Sequence, residues 1–147
     1  MLTLHDPIHT QNQYKLGAWQ QDTLYTLAAS HARLRPDKLA LRDTSASLSW
    51  SDVVTQVDTV AGELASLGLR KGDRVAIWLP SRIESVIVFL ACSRNGYVCC
   101  PSLHQSYTAD EIVALLERIR CKAFFTLPGY GSDAKTNSIF DLSLIHI

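Results

Sequence analysis

Short apolar runs alternate with helical periods along residues 72–125, and this alternation predicts the central fold of the chain. The runs at 74–79, 97–100 and 121–126 are typical of strands, and the first of them is apolar enough to be covered on both faces. Strands joined by intervening helices pair in parallel through right-handed crossovers. We therefore predict an α/β fold with a partial parallel sheet and flanking helices.

Two positions in this region carry the pattern of a capping box at a helix N-terminus. Ser81 precedes Glu84, and Thr108 precedes Glu111, at the spacing that lets each pair exchange side-chain and backbone hydrogen bonds. The first helix ends at Asn95 and is apolar on almost every side. A helix of that kind is expected to be buried by more than one neighbour.

The residues before this region predict two helices and a small β-hairpin. The first helix has its N-cap at Asp22 or Thr23 and ends at Pro36. Two strand-like runs within residues 39–50 flank a polar loop and form the small β-hairpin. The helix that follows carries an apolar stripe, which we expect to face the sheet.

Residues 1–21 lack an apolar period, and we interpret them as an N-terminal arm. His5 and His9 have the i, i+4 spacing of helical metal ligands, but Pro7 lies between them and argues against a regular helix. At the other end, the apolar pattern stops and residues 128–138 are polar and rich in turn formers. We predict turns there and no phosphate-binding loop.

The charge of the chain excludes several classes of partner. Fourteen basic residues balance fourteen acidic ones, so no field of one sign attracts nucleic acid or an anionic membrane. The longest apolar run, residues 86–92, is much shorter than the ~20 residues that cross a bilayer. The N-terminus lacks the pattern of a secretory signal, so we expect a cytoplasmic protein.

The cysteines do not predict a metal or dithiol site. Cys92, Cys99, Cys100 and Cys121 contain no C-x-x-C pair. Adjacent residues of a strand point to opposite faces, so Cys99 and Cys100 are not expected to hold one ion together. We interpret all four as buried thiols that pack as small apolar side chains.

Four segments resemble the motifs of one family, in the order in which that family has them. They are LSWSDV at 48–53, LGLRKGDRVAI at 67–77, FLACSRNGYV at 89–98 and YTADEI at 107–112. Each motif is short, but the four lie in register between residues 48 and 112, and this makes the match specific. The chain resembles the adenylate-forming enzymes, which include acyl-CoA synthetases, luciferases of the firefly type and the adenylation domains of peptide synthetases.

This resemblance implies a two-step reaction on a small-molecule carboxylic acid. The carboxylate attacks ATP to give an acyl-adenylate and pyrophosphate, and a thiol, usually that of coenzyme A, then displaces AMP. Such chemistry requires Mg²⁺ and cationic or amide donors around the phosphates. ATP, Mg²⁺ and CoA are therefore the expected cofactors of a full-length parent enzyme.

The segments that carry this chemistry in the family lie beyond the matched part. They are the phosphate loop with its lysine, the adenine segment, the ribose-binding aspartate and the catalytic lysine, and no stretch of the 147 residues resembles them. We therefore assign no catalytic, cofactor-binding or metal residue. Residues 22–141 are expected to be the incomplete N-terminal portion of an AMP-binding domain, part of a truncated acid–CoA ligase that is inactive alone and binds none of these cofactors.

Two other interpretations of the function stay open. One is a stand-alone binding or regulatory domain of flavodoxin-like shape. The other is a fragment of an adenylation domain that loads a carrier protein, although residues 99–104, CCPSLH, lack the aspartate that peptide-synthetase domains commonly have there. His104 follows a strand end and is a candidate for an acyl pocket, with a surface loop as the alternative. His31 lies on an apolar helix face and is expected to be packed and hydrogen-bonded.

The last six residues, LSLIHI at 142–147, follow a polar loop without a turn or cap. They are identical to one reading-frame translation of a common sequencing adapter. Our hypothesis is that this tail is non-native, with a short C-terminal strand as the alternative.

Overall fold

The structure, a computed structural model, describes residues 6–101 and 104–141. His5 and the predicted tail at 142–147 lie outside the described residues. The helices and strands follow in the order α1 (Pro7–Lys15), α2 (Leu24–Leu34), β1 (Leu39–Arg42), β2 (Ser47–Ser49), α3 (Trp50–Ser66), β3 (Arg74–Trp78), α4 (Ile83–Asn95), β4 (Val98–Cys100), α5 (Ala109–Arg118) and β5 (Cys121–Thr126). Within these residues, no helix combines the length and hydropathy that a membrane crossing demands.

β3 is the central strand of a three-stranded parallel sheet, with β4 on one side and β5 on the other. Val75 lies beside Cys99 of β4 and Ala123 of β5. A central parallel strand has helices on both faces, and the residues from Val75 to Trp78 are accordingly all buried. The predicted α/β fold, a partial parallel sheet with flanking helices, is confirmed.

Successive side chains of β3 point to opposite faces and divide the core in two. Val75 and Ile77 pack with Leu64 of α3 and with α4 on one face. Ala76 and Trp78 pack with α5 on the other face. Burying a large apolar side chain contributes about 1.5–3 kcal/mol, so both helical layers are needed to stabilise so small a sheet.

α4 is buried by two neighbours, as its apolar surface predicts. Ile83, Ile87 and Ala91 pack with α3 and the hairpin. Val88 and Cys92 pack with the sheet. α4 therefore lies between α3 and much of this face of the sheet.

The prediction that the apolar stripe of α3 faces the sheet is wrong for most of its length. Val53, Val57 and Ala61 pack with α4 and the hairpin. Leu64, near the end of the helix, does reach the residues of β3. The reason is the order of layers: α4 follows β3 directly and covers the sheet first, so α3 packs largely on α4.

β1 and β2 pair antiparallel and form the predicted small β-hairpin. α2 begins after Thr23, one of the two predicted N-caps, whose hydroxyl accepts a hydrogen bond from the Thr26 N–H at 3.2 Å. It ends before Pro36, as predicted. The Tyr25 hydroxyl donates to the Asp58 carboxylate of α3 at 2.8 Å, which holds α2 on the layer formed by α3 and α4.

α1 shows that the argument from Pro7 against a regular helix is wrong. Pro7 is the first helical residue, where its fixed φ suits the helix and its missing N–H has no intrahelical partner to lose. The Asp6 carboxylate accepts from the Ile8 N–H at 2.9 Å and caps the helix. No residue of α1 is buried, and the interpretation of residues 1–21 as an arm stays a prediction.

Candidate functional site

The carboxyl ends of the three parallel strands meet at one edge of the sheet, at Trp78, Cys100 and Thr126. The chain passes from β3 to β4 on one side and then across β3 to β5 on the other. Such a reversal opens a crevice at the strand ends, and open α/β sheets bind their ligands there. This carboxyl edge is the candidate functional site.

Trp78 fills the centre of the carboxyl edge and is only 1% exposed. Its indole N–H donates to the backbone carbonyl of His104 at 2.9 Å. Its ring stacks on Phe124 at 6.4 Å between centroids and meets the edge of Tyr130 at 5.4 Å. Packed aromatic rings therefore close the edge. The Trp78 indole also anchors the loop that follows β4, through its hydrogen bond to His104.

Residues 128–141 fold over this edge, which the loss of apolar period in the sequence did not predict. Gly131 has φ of +131°, and a Cβ built there would lie 2.7 Å from Cη2 of Trp78, so glycine permits the close approach. The Asp133 carboxylate accepts from the Ala109 N–H at 3.0 Å. Ile139, 4% exposed, completes the cluster around Trp78. A single buried residue in a polar segment makes no repeating apolar pattern, so the sequence did not predict that Ile139 is buried.

His104 lies at the carboxyl edge, as its position after β4 predicted. The structure holds it through its backbone carbonyl, while its side chain is exposed. The imidazole is 6.2 Å from the Tyr107 ring, measured between centroids. The exposed ring fits the surface-loop alternative better than a buried acyl pocket.

Two further histidines of the described residues, His31 and His9, have polar or aromatic neighbours. His31 packs on Trp50 at 4.7 Å between ring centroids, and its Nδ1 accepts from the Arg35 guanidinium at 2.8 Å. This confirms the packed, hydrogen-bonded histidine that was predicted. His9 lies 3.4 Å from the side-chain amide of Gln13 on the exposed surface of α1.

The four cysteines are free thiols: Cys92 and Cys121 are buried as predicted, whereas Cys99 and Cys100 are only half-buried and point to opposite faces. Cys99 packs with Cys92 on the α4 face, whereas Cys100 packs with the α5 cluster. Burial raises the pKa of Cys100 and Cys121, and a hydrogen bond with Cys99 together with burial raises the pKa of Cys92. These three thiols are protonated at neutral pH and are poor nucleophiles.

The N-termini of the helices that flank the sheet are already occupied by carboxylates. At α5, the predicted capping box is confirmed: the Thr108 N–H donates to Glu111 at 2.8 Å, and the Thr108 hydroxyl accepts from the Glu111 N–H at 3.3 Å. α3 has an equivalent box between Ser49 and Asp52. In both helices a carboxylate lies where a helix dipole would otherwise attract a phosphate.

The predicted capping box at the start of α4 is wrong. Ser81 does not cap the helix, and the Glu84 carboxylate pairs with Arg82 at 2.8 Å instead. The cap comes from the hairpin: the Asp43 carboxylate accepts from the Ile83 N–H at 3.2 Å. The Arg82 guanidinium binds the Glu84 carboxylate and so removes it from the cap. The Ile83 N–H donates to Asp43, which is distant in sequence.

Asp43 is held by several hydrogen bonds at once. The Ser45 N–H and hydroxyl both donate to it at 2.8 Å, and the Ala46 N–H donates at 2.9 Å. These bonds, with that from Ile83, hold the pKa of the Asp43 carboxyl well below its usual range. The carboxylate therefore stays ionised at neutral pH and links the hairpin turn to α4.

These residues do not fit a magnesium–ATP complex. Protein carboxylates occupy the starts of α3, α4 and α5, so a phosphate would be repelled there. Among residues 6–101 and 104–141, no three His, Cys, Asp or Glu side chains form a group that could hold a metal ion. What this arrangement does chemically is position a loop and close the carboxyl edge.

Comparison with known proteins gives the family. A sequence model described as AMP-binding enzyme matches residues 28–144. The chain is 33% identical over 110 residues to a medium-chain fatty-acid–CoA ligase of Escherichia coli, covering 74% of this chain and 19% of the relative. It is 31% identical over 121 residues to acetyl-coenzyme A synthetase 2 of Candida albicans, covering 78% of this chain and 18% of the relative.

Solved structures also resemble this chain. The apo structure of MbtA from Mycobacterium smegmatis superimposes with a TM-score of 0.71 at 25% identity, covering 84% of this chain and 23% of that one. The chain thus spans about a fifth of the length of the curated relatives that it matches. The resemblance to adenylate-forming enzymes is confirmed. The chain belongs to the AMP-binding enzyme family.

Proposed function

We propose that this chain is the N-terminal scaffold of an ATP-dependent carboxylic acid–CoA ligase. In the complete reaction a carboxylate oxygen attacks the α-phosphorus of ATP and releases pyrophosphate. The sulfur of CoA then attacks the acyl carbon and releases AMP. The observation that carries this proposal is the family match over residues 28–144, together with relatives that are named as acid–CoA ligases.

The role of this chain within that reaction is structural, and alone it is inactive. Three observations support this. Its sequence has no lysine-bearing phosphate loop. Carboxylates occupy the helix N-termini beside its sheet. Finally, Trp78 and Tyr130 fill the carboxyl edge, where a ligand of an independent flavodoxin-like domain would bind.

Acid-dependent exchange of pyrophosphate into ATP tests both parts of the proposal, with acetate and a medium-chain fatty acid as substrates. The chain of 147 residues alone is expected to show no exchange. A hybrid, in which residues 28–141 replace the matching segment of the E. coli ligase, is expected to show exchange and to form CoA thioester.

The two results have separate meanings. Exchange by the chain alone would overturn the claim that it is inactive. A hybrid that folds cooperatively but shows no exchange would overturn the claim that this segment serves as the scaffold of such a ligase.

A further inference from the structure

The end of α4 and the start of β4 are held together by a tight reversal of the chain. Gly96 ends the helix with φ of +72°. The Tyr97 N–H then donates to the Cys92 carbonyl at 3.0 Å. Tyr97 and Cys99 are two residues apart in extended backbone, so their side chains share a face, and both pack with Cys92. The reversal therefore brings Cys99 back against the last turn of α4.

The thiols of Cys92 and Cys99 are in direct contact within this cluster. The Cys92 thiol donates a hydrogen bond to the Cys99 sulfur. Cys92 is only 1% exposed, whereas Cys99 is half-buried. A small molecule that arrives from solvent therefore reaches the Cys99 sulfur first, and the Cys92 sulfur lies directly behind it.

The other two cysteines do not form such a pair. Cys100 and Cys121 both belong to the α5 cluster, but their strands, β4 and β5, lie on opposite sides of β3. Neighbouring strands are about 4.8 Å apart, so β4 and β5 are roughly 10 Å apart. A disulfide requires the two Cα atoms to lie within about 7 Å. Among the four cysteines, all of which lie in the described part of the chain, the thiol contact is that of Cys92 with Cys99.

The shared hydrogen bond gives the two thiols different chemical roles. It stabilises the thiolate form of Cys99 and lowers the pKa of that thiol against the opposing effect of burial. The same bond, together with burial, raises the pKa of the Cys92 thiol. Because the thiolate is the nucleophile, Cys99 reacts first and Cys92 keeps its proton until then.

We propose that Cys92 and Cys99 form an oxidation site, at which a hydroperoxide converts the two thiols into a disulfide that joins α4 to β4. Neither thiol has a role in the proposed ligase reaction, so this site does not depend on the proposed function. A thiol reductant reverses the reaction by thiol–disulfide exchange.

The oxidation takes place in two steps, written here for hydrogen peroxide. The Cys99 thiolate attacks one peroxide oxygen, the O–O bond breaks, and the departing hydroxide takes up a proton, which leaves a sulfenic acid and water. The Cys92 sulfur then attacks the sulfenic sulfur, the S–O bond breaks, and the hydroxyl leaves as water with the Cys92 proton. Two thiols thus supply two electrons and one peroxide becomes two waters. The first step also consumes the thiolate whose hydrogen bond holds the Cys92 proton.

Peptide mapping after oxidation tests this site on the unmodified chain. The chain is treated with hydrogen peroxide, the remaining thiols are blocked with iodoacetamide, and trypsin digests the product without reductant. Cleavage after Arg94 separates Cys92 from the peptide that contains Cys99 and Cys100. We expect these two peptides to stay linked, with a mass two hydrogens below their sum, and to separate when dithiothreitol is added. Circular dichroism checks that the chain is folded while it is oxidised.

Two serine substitutions on β4 identify the cysteine that reacts. Cys99 and Cys100 are adjacent and half-buried but lie on opposite faces, so Cys100→Ser is the matched control for Cys99→Ser. Cys99→Ser is expected to lower the linked fraction by about tenfold or more, because the nucleophile is lost. Cys100→Ser is expected to stay within about twofold of the unmodified chain. In Cys92→Ala, Cys99 should stop at the sulfenic acid, which dimedone labels.

Three results would overturn the proposal. The first is a folded chain that yields no linked peptide. The second is a link that Cys100→Ser removes and Cys99→Ser keeps, which would assign the reaction to the α5 face. The third is a link that non-reducing electrophoresis finds only in dimers and that disappears on dilution, which would show that the disulfide joins two copies of the chain.

Discussion

The N-termini of α4 and α5 show two ways in which this chain caps a helix. α5 has a local capping box, in which Thr108 and Glu111 exchange hydrogen bonds at 2.8 and 3.3 Å, in addition to the distant Asp133 carboxylate that accepts from the Ala109 N–H. α4 is capped by Asp43, which is forty residues earlier in the hairpin turn. The Thr108–Glu111 box forms wherever the helix forms, whereas the Asp43 cap exists only after the hairpin has packed on α4, and α4 has no local box beside it.

The α4 cap therefore couples two elements that are distant in the chain. Losing Asp43 removes the acceptor of the hairpin turn and of α4 together. Losing Thr108 removes one local acceptor. We therefore expect a larger loss of stability when the Asp43 cap of α4 is removed than when the Thr108 cap of α5 is removed.

Asp43→Ala should have the largest effect and lower Tm more than any substitution below. One carboxylate accepts bonds from Ser45, Ala46 and Ile83, and alanine leaves all these donors without an acceptor. Hydrogen exchange should also accelerate in both the hairpin and the first turn of α4. Acceleration confined to the hairpin would show that the two elements are not coupled.

The pH dependence of stability is the control for the charge of Asp43. Because its folded pKa is depressed, its contribution is present above the unfolded pKa of about 3.9 and is lost as pH falls through the folded pKa. Asp43→Asn should therefore lose less stability than the unmodified chain as pH falls below about 4. Parallel curves for the two proteins would contradict this assignment.

Thr108→Ala should have an intermediate effect and destabilise the chain by about 1 kcal/mol, the usual loss for an N-cap. Glu111 keeps its contact with the Thr108 backbone N–H, so the helix start is weakened but not released. Urea unfolding monitored by circular dichroism measures the loss. Thr108→Ser should restore most of the stability, and a serine variant as unstable as the alanine variant would argue against a capping role.

Ser81→Ala should have the smallest effect, within about 0.5 kcal/mol of the unmodified chain. The Ser81 side chain does not cap α4, and the residue is exposed. The same urea titration provides the comparison. A loss as large as that of Thr108→Ala would restore the capping box that the sequence pattern predicts.

Much of the fold could be predicted from the local pattern of apolar and polar residues. The strand at 121–126 has the predicted bounds, and Gly96 ends α4 with φ of +72°, the left-handed conformation that glycine favours at a helix end. The hairpin and the parallel sheet also follow from period and turn chemistry. Local pattern failed at Pro7, because the same residue that breaks a helix interior is favoured at its first position.

The candidate site could be predicted from the sequence only in part. Its position at the strand ends, near His104, follows from the α/β alternation. Its closure does not, because it depends on Trp78, Tyr130 and Gly131 meeting from distant segments. A glycine in a turn-rich segment gives no sign that an indole lies 2.7 Å from where its Cβ would be.

The fold class, the family and most helix boundaries follow from local sequence, because these depend on period, capping and motifs that lie within a few residues of each other. Which partner caps α4, which layer buries α3 and how residues 128–141 close the carboxyl edge depend on the folded chain. Those outcomes depend on competition among hydrogen-bond acceptors and apolar surfaces that only folding brings together. The Glu84 carboxylate illustrates this: its spacing from Ser81 suits a cap, but Arg82 binds it, and the Asp43 carboxylate accepts from a different amide, that of Ile83.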